Sequence, residues 1–560
     1  MLEAWKEWVS EYEYMDYSFI GYLTRIVLPF SLLSIAMVVL GLLFPEILSH
    51  FRFLLYGLAG SFIVLGIVYP KIWASTRRKK LEQNLHLFIT HFGVLAETGM
   101  ERATIFQILA KKKEEFGPLA NIANQLNTLV NVWNQSLDQA CRQVAQNVPS
   151  EKISDFLERM AHSVEAGQEL DNFVMEEQKE LMSDYEAMYK ESLETVMEIR
   201  DLFTSILLAV VFLVVFSVLI PVISGISPLF LLSVAISVFI ASEAGFLLAT
   251  EFVLPDDPIW GGSDFTTSRE IKMGIAELVC ILGFVGLSIF SISQLLFQVP
   301  FSSNPFPLVF YIGVPLTPLA IPGVMAWLEE KKIIDRNNHF PNFIRSLGTI
   351  ADARQTTLGN ALSDLKEKDF SELTDDIQNL YKRLQSRIEE KKAWSMFSSE
   401  TGSFLIWKFV DMYFEGVENG GNPKKLSELI SDNFKEVIRI RKGRYARAGN
   451  IMGMVYGMTV GIITAIFIGY FLTTEMIDVI GSALTGELEG IFSLAVYDIP
   501  GTYFLLLLMV LTNALVGALF IRSAKGGHEL LSFLHFTILL WFGLLVGKVV
   551  EFTIGGFLAI

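Results

Sequence analysis

Two carboxylates, Glu243 and Glu277, stand inside long apolar runs of this 560-residue chain. An acidic group near the centre of a bilayer costs ~3 kcal/mol, so such residues usually face protein or water and are functional candidates by default. Both fall toward one end of their runs. A buried polar contact is the plainer reading, with Lys272 or Arg269 within reach of Glu277. Nucleotide chemistry is not written here. A phosphate cradle needs Gly-x-x-x-x-Gly-Lys-Ser/Thr, so that backbone amides wrap the phosphates. The nearest stretches, Lys525-Gly-Gly527 and Gly547-Lys548, lack the rest of it. The 7 histidines show no metal-ligand spacing, and His86 and His91 do not share one helix face. The 2 cysteines, Cys141 and Cys280, make neither a disulfide framework nor a metal cluster. We therefore expect no catalytic, cofactor-binding or metal-ligating residues and no cofactor. Energy for mechanical work has to come from another protein.

Charge and glycine patterns suggest binding rather than catalysis. Lys435, Arg439, Arg441, Lys442, Arg444 and Arg447 form a basic stretch against Glu436 alone. They suit either anionic lipid headgroups, at ~1 kcal/mol each near the surface, or an acidic protein face. The acidic face is that of another protein or of the stretch carrying Glu176, Glu177, Glu180, Asp184, Glu186, Glu191, Glu194, Glu198 and Asp201. Lys111, Lys112 and Lys113 lie farther from any apolar run and are the better partner contacts, whereas Arg77, Arg78, Lys79 and Lys80 read as a topology anchor. Gly449, Gly453, Gly457, Gly461, Ala465 and Gly469 recur every four residues on one drifting helix stripe. Such a stripe admits a neighbouring helix closely, within the chain, at a dimer axis or against a partner's transmembrane helix.

The elements that carry these residues follow from composition. Hydrophobic residues make up 52% of the chain and charged ones 19%, less charge than the roughly 25% of a soluble domain. A membrane-crossing helix needs ~20 mostly apolar residues. Nine runs qualify: 27–45, 51–73, 203–223, 228–250, 273–296, 306–328, 449–472, 503–521 and 530–552. Two polar segments, 74–202 and 329–448, hold 14 and 21 of the 44 basic residues, so both belong on the cytoplasmic side. The intervening outer loops, about 46–50, 224–227, 297–305 and 473–502, carry no Lys or Arg. This places the N-terminus inside and the C-terminus outside. The formal charge of −16 argues against nucleic acid as a partner.

The two polar segments repeat one another. Asn84-Leu-His-Leu-Phe-Ile-Thr-His-Phe-Gly-Val-Leu-Ala-Glu97 lies over His339-Phe-Pro-Asn-Phe-Ile-Arg-Ser-Leu-Gly-Thr-Ile-Ala-Asp352 at an offset of 255. Phe156-Leu-Glu-Arg-Met-Ala-His-Ser-Val-Glu-Ala-Gly167 lies over Phe409-Val-Asp-Met-Tyr-Phe-Glu-Gly-Val-Glu-Asn-Gly420 at an offset of 253. Ile153, Phe156, Leu157, Met160, Ala161 and Val164 recur at three and four, one buried face of a helix. Ser150 is its expected N-cap, and Gly167 and Gly420 its and its counterpart's C-terminal stops. Each segment reads as a bundle of about six helices. The last helix of each, from about 171 or 424, is expected to run unbroken into the next span.

At these residues a resemblance emerges. Arg77-Arg-Lys-Lys-Leu-Glu-Gln-Asn-Leu, Phe88-Ile-Thr-His, Gly93-Val-Leu-Ala and Gly99-Met resemble the F-domain family of type II secretion and type IV pilus systems in its archaeal form. Ser150-Glu, Asp155-Phe-Leu-Glu-Arg-Met-Ala-His, Ala166-Gly-Gln, Asp171-Asn-Phe and Glu177-Gln are closer still to the branch that assembles the archaellum, the archaeal flagellum. The second repeat departs from the pattern, with Arg354 where the first has Gly99. The resemblance implies an all-α polytopic membrane protein of about nine transmembrane helices with two cytoplasmic F domains. Its expected layout is an acidic aromatic segment 1–26, spans 27–73, F domain 74–202, spans 203–328, F domain 329–448 and spans 449–560. It also implies a non-enzymatic platform that works with a separate hexameric ATPase, pilin-like archaellins, other motor subunits and the lipid bilayer, as a homodimer. An adhesive pilus or secretion platform is the alternative. A transporter fits less well, because the detectable repeat lies outside the spans.

Overall fold

The computed structural model describes residues 28–43, 56–57, 59–60, 82–148, 150–224, 226–262, 265, 267–297, 307–483 and 498–558. The expected segment 1–26, the loop 46–50, the basic run Arg77 to Lys80 and most of the span 51–73 lie outside them. Helix α1 spans Leu28–Leu43. A first bundle follows: α2 Leu85–Ala96, α3 Arg102–Lys111, α4 Pro118–Asn131, α5 Leu137–Ala145 and α6 Glu151–Glu165. Helix α7, Leu170–Leu219, closes the bundle and continues beyond it; α8 is Pro228–Val253 and α9 Ser268–Phe297. Helix α10, Leu308–Leu316, meets a 3-10 turn at Thr317–Leu319 where Pro315 and Pro318 interrupt the α-helical ladder, and α11 resumes over Ala320–Arg354. The second bundle adds α12 Leu358–Leu365, α13 Thr374–Gln385, α14 Glu390–Thr401 and α15 Phe404–Glu418. Helix α16, Pro423–Ala483, is followed by α17 Ile499–Lys525 and α18 Leu531–Leu558. Among the described residues the sole β-type pairing is an isolated bridge between Trp260 and Ser403.

Among the described residues seven helices are long and apolar enough to cross a membrane, and the chain is a polytopic membrane protein. They cover seven of the nine expected spans. The first expected span is present as α1, whose 16 described residues fall short of the ~20 a crossing needs. Helix α16 also runs past its expected end, so that Glu475 and Asp478 are helical rather than part of a loop.

The repeat holds at the level of elements. Helices α6 and α15, and the starts of α7 and α16, keep the offset of 253 that also separates the ion-paired Glu186 and Arg439. Ile153, Phe156, Leu157, Met160 and Ala161 form the buried face of α6. Ser150 takes the N-cap position, but its hydroxyl donates to Glu82 at 3.0 Å and caps nothing. Gly167 and Gly420 both adopt left-handed φ, 78° and 91°, and end their helices as expected. In the second copy the turn that Gly99 makes at φ 71° moves one place, to Gln355 at φ 49°. The long helices are unbroken: α7 has 50 residues and α16 has 61, ~75 and ~90 Å at 1.5 Å per residue. Each starts in a bundle and ends in an apolar span.

The two copies differ where α2 and α11 meet their long helices. A Cβ on Gly348 would overlap the Ser427 hydroxyl and the Pro423 carbonyl, whereas one on Gly93 meets Gln178 and Val174 at 3.5 Å, ordinary contact. Gly348→Ala should therefore lower stability by about 1–3 kcal/mol. Gly93→Ala, at the matching position, should be neutral or stabilising by about 0.5 kcal/mol, because alanine is the better helix former. Thermal unfolding of the two variants in detergent measures the contrast.

Candidate functional site

The densest polar cluster lies where the bundles meet the spans, around the connection from α8 to α9. The groups of Pro255-Asp-Asp-Pro258 are taken up by α7, α16 and Gln83. Asp257 pairs with Arg441 of α16 and accepts a hydrogen bond from the Tyr189 hydroxyl of α7 at 3.1 Å. The Asp256 amide donates to the Gln83 side chain at 3.3 Å. Arg444, only 3% exposed, donates to three carbonyls, those of Ala524 at 2.9 Å, Ser523 at 2.8 Å and Pro255 at 3.1 Å. One guanidinium thus ties α16, the end of α17 and the α8–α9 connection. Gly526 ends α17 at φ 76°, and a side chain there would press on the Arg444 guanidinium at 3.0 Å.

Farther along, the same connection joins the second bundle. The Gly261 amide donates to the Gly402 carbonyl at 2.9 Å and the Phe404 amide to the Ile259 carbonyl at 3.1 Å. Glu330, 1% exposed, accepts from Lys525 at 2.7 Å and from the His528 amide at 2.6 Å. His86 stacks on Tyr185 at 3.8 Å, and burial holds its imidazole down at about 4 although Asp257 pulls the other way. A cavity of about 370 Å³ opens beside the cluster, lined by Glu251, Asp256, Asp257, Arg444 and Arg522 among others.

A second cluster joins the bundles to each other. Lys112 pairs with Asp411 and lies 3.3 Å from Glu415, which accepts from His91 at 2.8 Å. Burial would raise the Glu415 carboxyl, but His91 and Lys112 outweigh it and hold the group at about 2. Burial likewise works against the Lys112 ammonium, and its three carboxylates lift it above the usual lysine range. Lys408 reaches Glu115 at 2.9 Å and lies 4.3 Å from the Trp407 ring centre; burial outweighs Glu115 and lowers it. Lys425 and Glu97 add a pair at 2.7 Å.

The expected binding residues are distributed as follows. Lys111 and Lys113 are exposed, while Lys112 between them turns into the inter-bundle cluster. Lys435 and Lys442 are exposed, and Arg447 is half-buried. Arg439 is exposed and pairs with Glu186 of the acidic stretch and with Glu436. Arg441 and Arg444 are buried in the first cluster. Gly449, Gly453, Gly457 and Gly461 are exposed, with no atom within 4 Å of a Cβ built on them, whereas Gly469 is buried against Val215 at 3.2 Å. Glu243 is buried and Glu277 exposed; Arg269 stands over the Trp260 ring at 5.1 Å. Among the described residues no group of three or more His, Cys, Asp or Glu is arranged to hold a metal ion. Sequence reasoning passed over Asp257, Tyr189, Trp260 and Glu330. Two adjacent aspartates in a short connection that must sit beside basic segments were the available signal, because acids so placed need cationic partners.

A model of the type II secretion system protein F matches residues 88–221, the first bundle and α7. Flagella accessory protein J of Methanocaldococcus jannaschii is 32% identical over 544 residues, 96% of each chain. Flagella accessory protein J of Methanococcus voltae is 32% identical over 543 residues, 95% of each chain. No solved structure matches.

Asp257→Asn leaves Arg441 buried without its counter-charge and should cost about 3–5 kcal/mol. Adding Arg441→Met removes the orphaned charge and should restore most of the loss. A double-mutant cycle on melting temperature measures the coupling.

Proposed function

The chain belongs to the flagella accessory protein J (FlaJ) family, and from that premise we propose that it is the membrane platform of the archaellum machine. In this reading it couples a separate cytoplasmic ATPase to filament assembly and rotation and performs no chemistry of its own. The observation that carries the reading is the continuity of α7 and α16, each running without interruption from a bundle into an apolar span. A helix of ~75 Å or more transmits displacement along its length, so a push on a bundle reaches the membrane. The cross-links at Asp257, Arg441 and Arg444 favour joint movement of the two long helices over independent sliding.

In the same reading, residues 74–202 and 329–448 are two cytoplasmic F domains carried by about nine spans, with the N-terminus inside and the C-terminus outside. The basic residues still facing outward are the surface offered to a hexameric ATPase: Lys111 and Lys113 on the first bundle, Lys435 and Lys442 on α16. Arg447, nearer the span, suits lipid headgroups. The open glycines of α16 suit a second copy of the platform, and pilin-like archaellins and other motor subunits meet the spans. The name of both relatives, flagella accessory protein J, favours the archaellum over an adhesive pilus.

Binding of the ATPase to the full chain in detergent tests the docking surface. Reversing Lys111, Lys113, Lys435 and Lys442 to Glu should weaken it by about tenfold or more. Unchanged affinity with unchanged melting temperature would leave those residues without a docking role. Reporter fusions after residues 120 and 390 should read inside and a fusion after 490 outside; an inside reading at 490 would overturn the orientation.

A further inference from the structure

Glu243 is a buried carboxyl that neither cluster absorbs. It is 3% exposed, and its Oε2 atom has no hydrogen-bond partner. The carboxyl lines a small cavity of about 20 Å³ at the junction of four helices. Helix α7 contributes Phe203 and Leu207, α8 contributes Glu243 and Phe246, α16 contributes Met458 and Thr459, and α17 contributes Asn513. No lining residue from any of the four is a lysine, arginine, histidine or second carboxylate. The polar lining groups other than Glu243 are Asn513 and Thr459, already joined by a hydrogen bond of 3.0 Å. Thr204 on α7 donates its hydroxyl to the Arg200 carbonyl at 2.9 Å, and its oxygen lies 3.7 and 3.8 Å from the sulfurs of Met454 and Met458.

We infer that Glu243 is a proton-binding site: it stands as a neutral carboxylic acid and holds one water molecule in the four-helix junction. A buried carboxylate needs a cation or several donors, and this cavity supplies neither. A neutral acid needs one acceptor for its hydrogen and a donor for its carbonyl oxygen, and a single water provides both. The cavity exceeds the ~10–15 Å³ that one water occupies, and Glu243, Thr459 and Asn513 give that water the two to four polar neighbours it requires.

The walls belong to both long helices, so occupancy of the site is linked to their arrangement. A shift of α7 against α16 that opens the junction admits water, lowers the cost of ionisation and releases the proton. By reciprocity, proton binding favours the closed junction. The inference requires that the four helices cross a membrane and does not depend on the platform reading.

The test uses the full chain in lipid nanodiscs at pH 7 with two carbodiimides, one membrane-soluble and one water-soluble. A protonated carboxyl gives its proton to a carbodiimide nitrogen as its oxygen adds to the central carbon. An oxygen-to-nitrogen acyl shift then leaves a stable N-acylurea carrying the mass of the reagent. Glu243 should be modified by dicyclohexylcarbodiimide at least tenfold faster than by the soluble reagent. Glu243→Gln, a neutral isostere, should keep the melting temperature of the parent. A melting temperature that falls in Glu243→Gln would mean that an ionised group was satisfied there and would overturn the inference. So would modification by the soluble reagent at an equal rate. Infrared spectra of the same samples keep the result decisive if reagent access is slow. A protonated-carboxyl band present in the parent and missing from Glu243→Gln supports the site, and identical spectra exclude it.

Discussion

Two guanidinium groups buried on one helix dictate how the chain comes together at the membrane boundary. An arginine removed from water without partners costs several kcal/mol, so Arg441 and Arg444 can be buried only where carboxylate and carbonyl groups converge on them. The α8–α9 connection, the last turn of α17 and the hydroxyl of Tyr189 meet that demand together. Each belongs to a different part of the chain, and the Tyr189 hydroxyl, 3.5 Å from Arg444, brings the two long helices side by side. The position of Gly526 follows from the same requirement, since the backbone there must end a helix and leave room for a guanidinium.

The interface between the bundles is built differently from their interiors. Each bundle packs buried aromatic side chains, Phe88, Phe92 and Phe106 in the first and Phe340, Phe343 and Phe397 in the second. Between the bundles, ion pairs join Lys112 to Asp411, His91 to Glu415, Lys408 to Glu115 and Lys425 to Glu97. The Lys112–Asp411 and Lys425–Glu97 pairs are partly exposed, contribute up to about 1 kcal/mol each and weaken with salt. Lys408, Glu115 and His91 are nearly buried, and removing one partner of such a pair costs about 3–5 kcal/mol. The buried pairs therefore hold the two bundles against each other.

Much of this architecture was legible in the sequence because it rests on periodicity and punctuation. The amphipathic face of α6, the stops at Gly167 and Gly420 and the run of each long helix into its span all follow from spacing and from the lack of a breaker. The orientation of the basic stretch was missed although the same rule governs it. Phe434, Val437, Arg441, Arg444, Ala448 and Ile451 repeat at three and four, so both arginines continue the buried stripe of α16, while Lys435 and Lys442 fall off it. The glycine stripe fails as one surface for a related reason. Steps of four residues drift ~40° each about a helix axis. Gly449 and Gly469 accordingly face opposite sides, one open and one packed against Val215. The adjacent aspartates signal that Asp257 needs a cation, but its partners Arg441 and Tyr189 are far away in sequence and no local rule names them.

The charge difference between the copies has a geometric origin. Glu186 and Arg439 are separated by 253 residues, the offset of the repeat, and they form an ion pair. Equivalent positions of α7 and α16 therefore face each other at this point. Two glutamates or two arginines there would repel. Divergence of the two copies replaces that repulsion by an attraction, which at two half-exposed groups contributes up to about 1 kcal/mol. The mismatch that blurs the second repeat in sequence thus removes a repulsion between the two long helices.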